Sequence, residues 1–203
     1  MKKYTLADYV FQFITVTAGV LIALLIDGLA ETRSNRELVE SARAMIKREL
    51  TDNKKDLEAT LAGITADQDA MRNAIKFADD LLTARKTTIN SVQLHYNVAD
   101  QVSDSSWRTA ERTGALALMD YDEVQRYSRV YDFQDLFLQQ QRQALTKVVE
   151  AGSIFKTDVD PERMHPKDLE MFRVRVLDLL ALIGLQQDFG KKLVEDYASA
   201  LQP

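Results

Sequence analysis

The longest uninterrupted apolar pattern lies near the start of the chain. From Tyr9 to Ile26 there are 18 residues without a charge, bracketed by Asp8 and Asp27. As a helix this stretch spans about 27 Å, close to the hydrocarbon thickness of a bilayer. Gln12, Thr15 and Thr17 are its only strongly polar side chains, and Tyr4, Tyr9, Phe11 and Phe13 cluster at one end. Aromatic rings favour the level where a span meets the headgroups. A core helix of a soluble protein would show a polar stripe at 3.6-residue spacing, and none is present. A cleaved signal peptide has a shorter apolar region closed by a small-x-small site, which Gly28-Leu29-Ala30 meets only loosely. The pattern therefore predicts a flank over residues 1–8, a transmembrane helix over 9–27 and an extramembrane domain over 28–203.

Beyond the span the period becomes helical and amphipathic. Ile46, Leu50, Leu57, Leu61, Ile64, Met71, Ile75, Ala78 and Leu82 recur at threes and fours, with Asn53 and Gln68 filling the gaps. This is a coiled-coil-like seam on one long helix, about residues 31–83, with a kink expected near Gly63. Asn53 reads as a side chain at a packing edge, or else as a polar residue that sets register. Lys47, Arg48, Lys54, Lys55, Glu58 and Asp67 read as the solvent face. Residues 84–104 have weak periodicity and form a connector with at most a short helix.

Asp104-Ser105-Ser106 offers N-cap side chains to a helix over about 106–113, ending before Gly114. Asp120 and Glu123 make a capping-box-like start for a helix over about 120–151, with Val124, Tyr127, Tyr131, Leu138, Leu145 and Val148 along its apolar face. Asp160-Pro161 and Pro166 mark helix starts, and a last helix over about 166–201 carries Leu169, Phe172, Val176, Leu179, Ile183, Leu193 and Tyr197 as its buried stripe. "LDLLALIGL" within it is too short for a second span. The fold class is all-α: one N-terminal transmembrane helix continuing into a long helix that packs in an antiparallel helical bundle.

Composition agrees with long elements, since seven Gly and three Pro in 203 residues leave few places for turns. A net charge of −5 with no basic run longer than two residues excludes the basic face that a nucleic-acid binder needs. The absence of cysteine excludes disulfides and thiolate chemistry. Lys2 and Lys3 flank one end of the span and Arg33, Arg36 and Arg43 the other, so the charge count alone does not orient it. A short basic head before an apolar run is the signal-anchor layout. It predicts a cytoplasmic N-terminus and a periplasmic helical domain.

Thr15, Gly19, Ala23 and Asp27 recur every four residues and share one helix face, where small side chains let two spans approach closely. That face predicts self-association, or packing against another membrane protein. Tyr127, Tyr131 and Phe137 lie in an aromatic-rich stretch. They are candidates to face a ligand, although aromatic stripes at helical spacing more often fill a core. His95 and His165 are seventy residues apart, and the acidic knot of Asp120, Asp122 and Glu123 lacks the glycine and downstream glutamate of a calcium loop. No nucleophile, phosphate-loop or dinucleotide motif occurs. No catalytic residue, cofactor or metal site is assigned.

"GVLIALLIDGLAE" (Gly19–Glu31), "IKREL" (Ile46–Leu50), "SSWRTAERTGAL" (Ser105–Leu116) and "VQRYSRVYDF" (Val124–Phe133) together resemble a family of bacterial single-pass membrane proteins. Leu29 stands where that family usually has Trp, and the resemblance extends to about residue 145. It implies a membrane-anchored helical domain and brings no catalytic residues. The expected function is a membrane-anchored module for assembly or partner interaction at the bacterial inner membrane. A ligand-sensing bundle working through a partner membrane protein is the alternative.

Overall fold

The computed structural model describes residues 6–89, 92–154 and 160–202, with side chains from Phe11 onward. Tyr4, Lys2, Lys3 and most of the N-terminal flank lie outside the described residues, as does the side chain of Tyr9. The described residues form four α-helices and two 3₁₀ turns, with no strand among them. The helices are α1 (Leu6–Ala84), α2 (Ser105–Arg112), α3 (Tyr121–Gly152) and α4 (Pro166–Ala200), and the turns are Ala115–Leu118 and Pro161–Arg163.

Span and seam are one element. α1 runs 79 residues without interruption, through Asp27, Gly28 and Gly63. No proline occurs in it, so nothing removes an i→i−4 bond or clashes with the preceding turn. It ends at Arg85, whose φ of 55° is left-handed. Asp160 caps the second 3₁₀ turn by accepting from the Glu162 N–H at 3.0 Å. His165 caps α4, its Nδ1 accepting from Lys167 N–H at 3.2 Å, ahead of Pro166 at the first helical position.

The chain divides into two compact units, Met1–Ile46 with Ser105–Asp120, and Lys47–Asp104 with Tyr121–Pro203. In the first, every residue from 11 to 34 is exposed, including ten large apolar side chains between Phe11 and Ile26. This helix is long and apolar enough to cross a membrane. Burial in this unit begins at Ala42 and Ile46 and includes Ala110, Ala115 and Met119.

The second unit holds the main core. Ile64, Met71, Phe77 and Leu81 of α1 pack with Ala144 and Ala151 of α3 and with Leu169, Phe172, Val176, Leu179 and Ile183 of α4. The stripe expected on α4 is buried at every one of its seven positions. On α3 the apolar face lies elsewhere than its Leu residues suggest. Leu145 is exposed, and the buried positions run Glu123, Tyr127, Val130, Tyr131, Gln134, Phe137, Gln141, Ala144 and Ala151. On α1, Asp67 is not on the solvent face but wholly buried, and Asn53 is not at a packing edge but 1% exposed. Both corrections share a cause: polar side chains occupy core positions because something other than water satisfies them.

α1, α3 and α4 meet closely at Gly190. A methyl group there would lie 2.6 Å from Leu61 Cδ2 and 3.3 Å from Phe137 Cε2. Gly190→Ala gains about 1 kcal/mol of helix propensity but forces a well-packed contact apart at about 1–3 kcal/mol. A net loss of roughly 1 kcal/mol is expected in a denaturant titration, and a stabilised variant would contradict this packing.

Candidate functional site

The polar core residues converge on one segment. Residues 92–104 contain no helix, including the short one the sequence allowed, and lie along α1 and α3 as an extended strap. Its backbone is held by helix side chains. Asn53 Oδ1 accepts the Ser103 N–H at 2.9 Å while its Nδ2 donates to the Ser103 carbonyl at 2.6 Å. Gln141 repeats the pattern on Ala99, accepting its N–H at 2.9 Å and reaching its carbonyl at 3.5 Å. Asp67 Oδ2 accepts the Asn97 N–H at 2.8 Å.

The three anchored N–H groups belong to residues 97, 99 and 103, which share one edge of an extended chain. Asn53 and Asp67 are fourteen residues apart on α1, about 21 Å along a helix. Asn97 to Ser103 covers about 20 Å only if nearly fully extended. Two lengths set by different periods therefore agree, and the strap runs opposite in direction to α1. Gly63 lies on the same face between Asp56 and Asp67, where a Cβ would come within 2.5 Å of Asn97 Nδ2.

Each end is reinforced by further polar groups. At Ser103, Gln134 Nε2 also donates to the carbonyl at 3.1 Å, and Gln134 Oε1 accepts from Asn53 Nδ2 at 3.0 Å and from the Tyr197 hydroxyl at 2.7 Å. At the other end Asp67 Oδ1 accepts from Asn97 Nδ2 at 2.9 Å and pairs with His95 Nδ1 at 2.8 Å. A carboxylate only accepts, so His95 carries its proton on Nδ1. The Tyr96 hydroxyl donates to Gln186 of α4. Burial pushes the phenols of Tyr96, Tyr131 and Tyr197 well above the usual tyrosine range, and nearby carboxylates add to the shift. These hydroxyls are held as neutral donors.

The residues singled out by sequence are distributed differently. Thr15, Gly19, Ala23 and Asp27 are all exposed along the apolar part of α1, with Thr15 Oγ1 donating back to the Phe11 carbonyl at 2.9 Å. Tyr127, Tyr131 and Phe137 are core residues, at most 5% exposed. The Tyr127 hydroxyl donates to Glu123 at 3.1 Å and that of Tyr131 to Glu49 at 2.7 Å, while the Phe137 ring packs at Gly190. A shallow concavity of about 430 Å³ between α3 and α4 is lined by Arg126, Arg129, Val130, Asp196, Ser199 and Ala200, and by none of the three aromatics.

Glu162, His165 and Asp168 recur every three residues, but His165 is used as a cap. No group of three or more metal-ligating side chains occurs among the described residues. Sequence reasoning missed Asp67, Gln134, Gln141 and Gln186 as partners of the connector. A usable signal existed: Asn53 and Asp67 are two heptads apart, Gln134 and Gln141 one, so each pair falls in phase with an apolar stripe.

Chemically, this arrangement reads peptide backbone. An amide that accepts an N–H and donates to the same residue's carbonyl reproduces what a neighbouring β-strand would offer. No family model, curated protein or solved structure matches the chain.

Proposed function

We propose that this chain is a membrane-anchored helical module for assembly or partner interaction at the bacterial inner membrane, without catalytic activity of its own. The carrying observation is the apolar N-terminal part of α1, exposed on every side while continuous with a packed helical body. Leaving a Leu, Ile, Val or Phe side chain in water forgoes about 1.5–3 kcal/mol each, and a lipid environment removes that penalty along the whole segment. Its backbone needs no outside partner, because a helix satisfies its own N–H and C=O groups in a medium without water. The resemblance of Gly19–Glu31, Ser105–Leu116 and Val124–Phe133 to bacterial single-pass proteins favours the same setting.

The body is an antiparallel bundle in this reading. Phe133, in the first half of α3, packs tilted against Phe189, in the second half of α4, with ring centroids 5.6 Å apart, and Arg175 of α4 bonds the carbonyl of Glu150 near the end of α3. The N-terminus is cytoplasmic and the body periplasmic. Protease added to unlysed spheroplasts is expected to remove a C-terminal tag that is protected in intact cells. Protection until lysis would place the body inside, and a tagged band already shortened by about 30 residues would mean a cleaved signal.

Spans pair through Thr15, Gly19, Ala23 and Asp27. Two differently tagged copies are expected to co-purify in mild detergent, and Gly19→Leu to reduce recovery several-fold by holding the helix backbones apart. Equal recovery of wild type and variant would remove this face from the assembly.

A further inference from the structure

α3 and α4 pair as a hairpin, and α1 packs on one face of it. The opposite face is open. Phe133 and Phe189 meet across the hairpin, and Arg175 reaches the Glu150 carbonyl. These two contacts fix which residues of the helices stand level: Arg129 with Asp196, and Lys147 with Asp178. Between those levels Leu136 and Leu185 flank the groove just beyond the two rings, each 42% exposed.

Two strips with the same spacing border this open groove. On α3, Arg129, Leu136 and Lys147 lie along one line, because seven residues are close to two turns and eighteen are five. On α4, Asp178, Leu185 and Asp196 repeat those spacings. One strip is basic around a leucine and the other acidic around a leucine. Lys147 pairs with Glu150 and Asp196 with Lys192, each on its own helix near the surface, where such pairs hold weakly. An exposed leucine is ordinary by itself. Apolar residues along a helix seam flanked by opposite charges on its two sides are how paired helices select a partner and an orientation.

The partner that fits is a second copy. A two-fold axis running along the hairpin sets α3 of one copy against α4 of the other without changing levels. Arg129 then faces Asp196, Lys147 faces Asp178, and each pair occurs twice while the leucines close the centre. Setting α3 on α3, or α4 on α4, would instead oppose like charges, which selects against both alternatives.

We propose that the open face of the α3–α4 hairpin binds the same face of a second copy, making a four-helix layer with α3 beside the partner's α4. This deepens the assembly reading above, on which it rests for taking the partner to be another copy, and places a second contact outside the span.

The chain has no cysteine, so single-cysteine variants report the contact without background. Leu136→Cys and Leu185→Cys are carried on differently tagged full-length copies expressed in the same membrane. Mild oxidation is expected to link them several-fold more than either variant links to itself. Lys147→Glu in both copies is expected to lower the yield several-fold, and adding Asp178→Lys to restore it. All pairs are repeated with Gly19→Leu in the span.

A link between positions 136 and 185 upholds the proposal in either span background. Copies that co-purify without that link overturn it and leave pairing through the span standing. A link only between two copies of Leu185→Cys, or only to a different protein, also overturns it, the latter giving the face to that partner. Absence of both co-purification and link removes this contact and the assembly reading together.

Discussion

Replacing Asp67 with alanine is expected to lower the unfolding free energy by about 3 kcal/mol. Asp67 is wholly buried, and its two oxygens take the Asn97 N–H, the Asn97 side-chain amide and the His95 ring. Alanine leaves the Asn97 N–H without its acceptor, and an orphaned buried donor costs about 1–3 kcal/mol by itself. The His95 contribution is smaller, because that ring is largely in water and its attraction is screened. Asp67→Asn keeps one acceptor oxygen and is expected to lose about half as much. Guanidinium titration of the full chain in detergent, followed by helical circular dichroism, measures both. A loss below about 1 kcal/mol for alanine would mean that water replaces the carboxylate at no net cost.

Asn53→Ala is expected to cost about 2 kcal/mol, from the orphaned Ser103 N–H and the space the amide leaves. The Ser103 carbonyl is protected, since Gln134 still donates to it, and Tyr197 still satisfies Gln134. That redundancy makes this loss smaller than the one at Asp67. The two sites are too distant for direct contact, about 21 Å along α1, yet they hold the same strap. Once either anchor is lost and the strap opens, the second has less to lose. The double variant is expected to fall short of the sum by about 1 kcal/mol. Strict additivity would show that the strap does not open as a unit.

Much of this architecture was readable from periodicity alone. The four helices lie within one to three residues of where caps, prolines and apolar spacing put them, and α1 carries the apolar segment straight into the long helix, as its unbroken pattern predicts. All seven positions expected to be buried on α4 are buried. Helix formation and amphipathic phase are local properties, and a run of a few turns carries enough residues to reveal them. The apolar length of the first segment, and hence its capacity to cross a bilayer, is local in the same sense.

The reading failed where burial depended on a distant partner. Leu145 is exposed while Gln134 and Gln141 are buried on the same helix, because the amides face a segment 31 to 42 residues away in sequence. Asp67 looked like a solvent-face residue because aspartate is rarely buried, and the exception holds only where donors replace water. Those donors come from the connector, which has no period of its own to announce what it binds.

By itself, then, the sequence determined the helices, their apolar phases and an N-terminal segment long enough for a membrane. Only the tertiary structure decided which polar side chains are interior and that the connector is a strap held by them. The reason is that spacing along a chain encodes which face of a helix is apolar. The free energy of burying an amide or a carboxylate depends instead on whether another part of the chain arrives with matching hydrogen bonds.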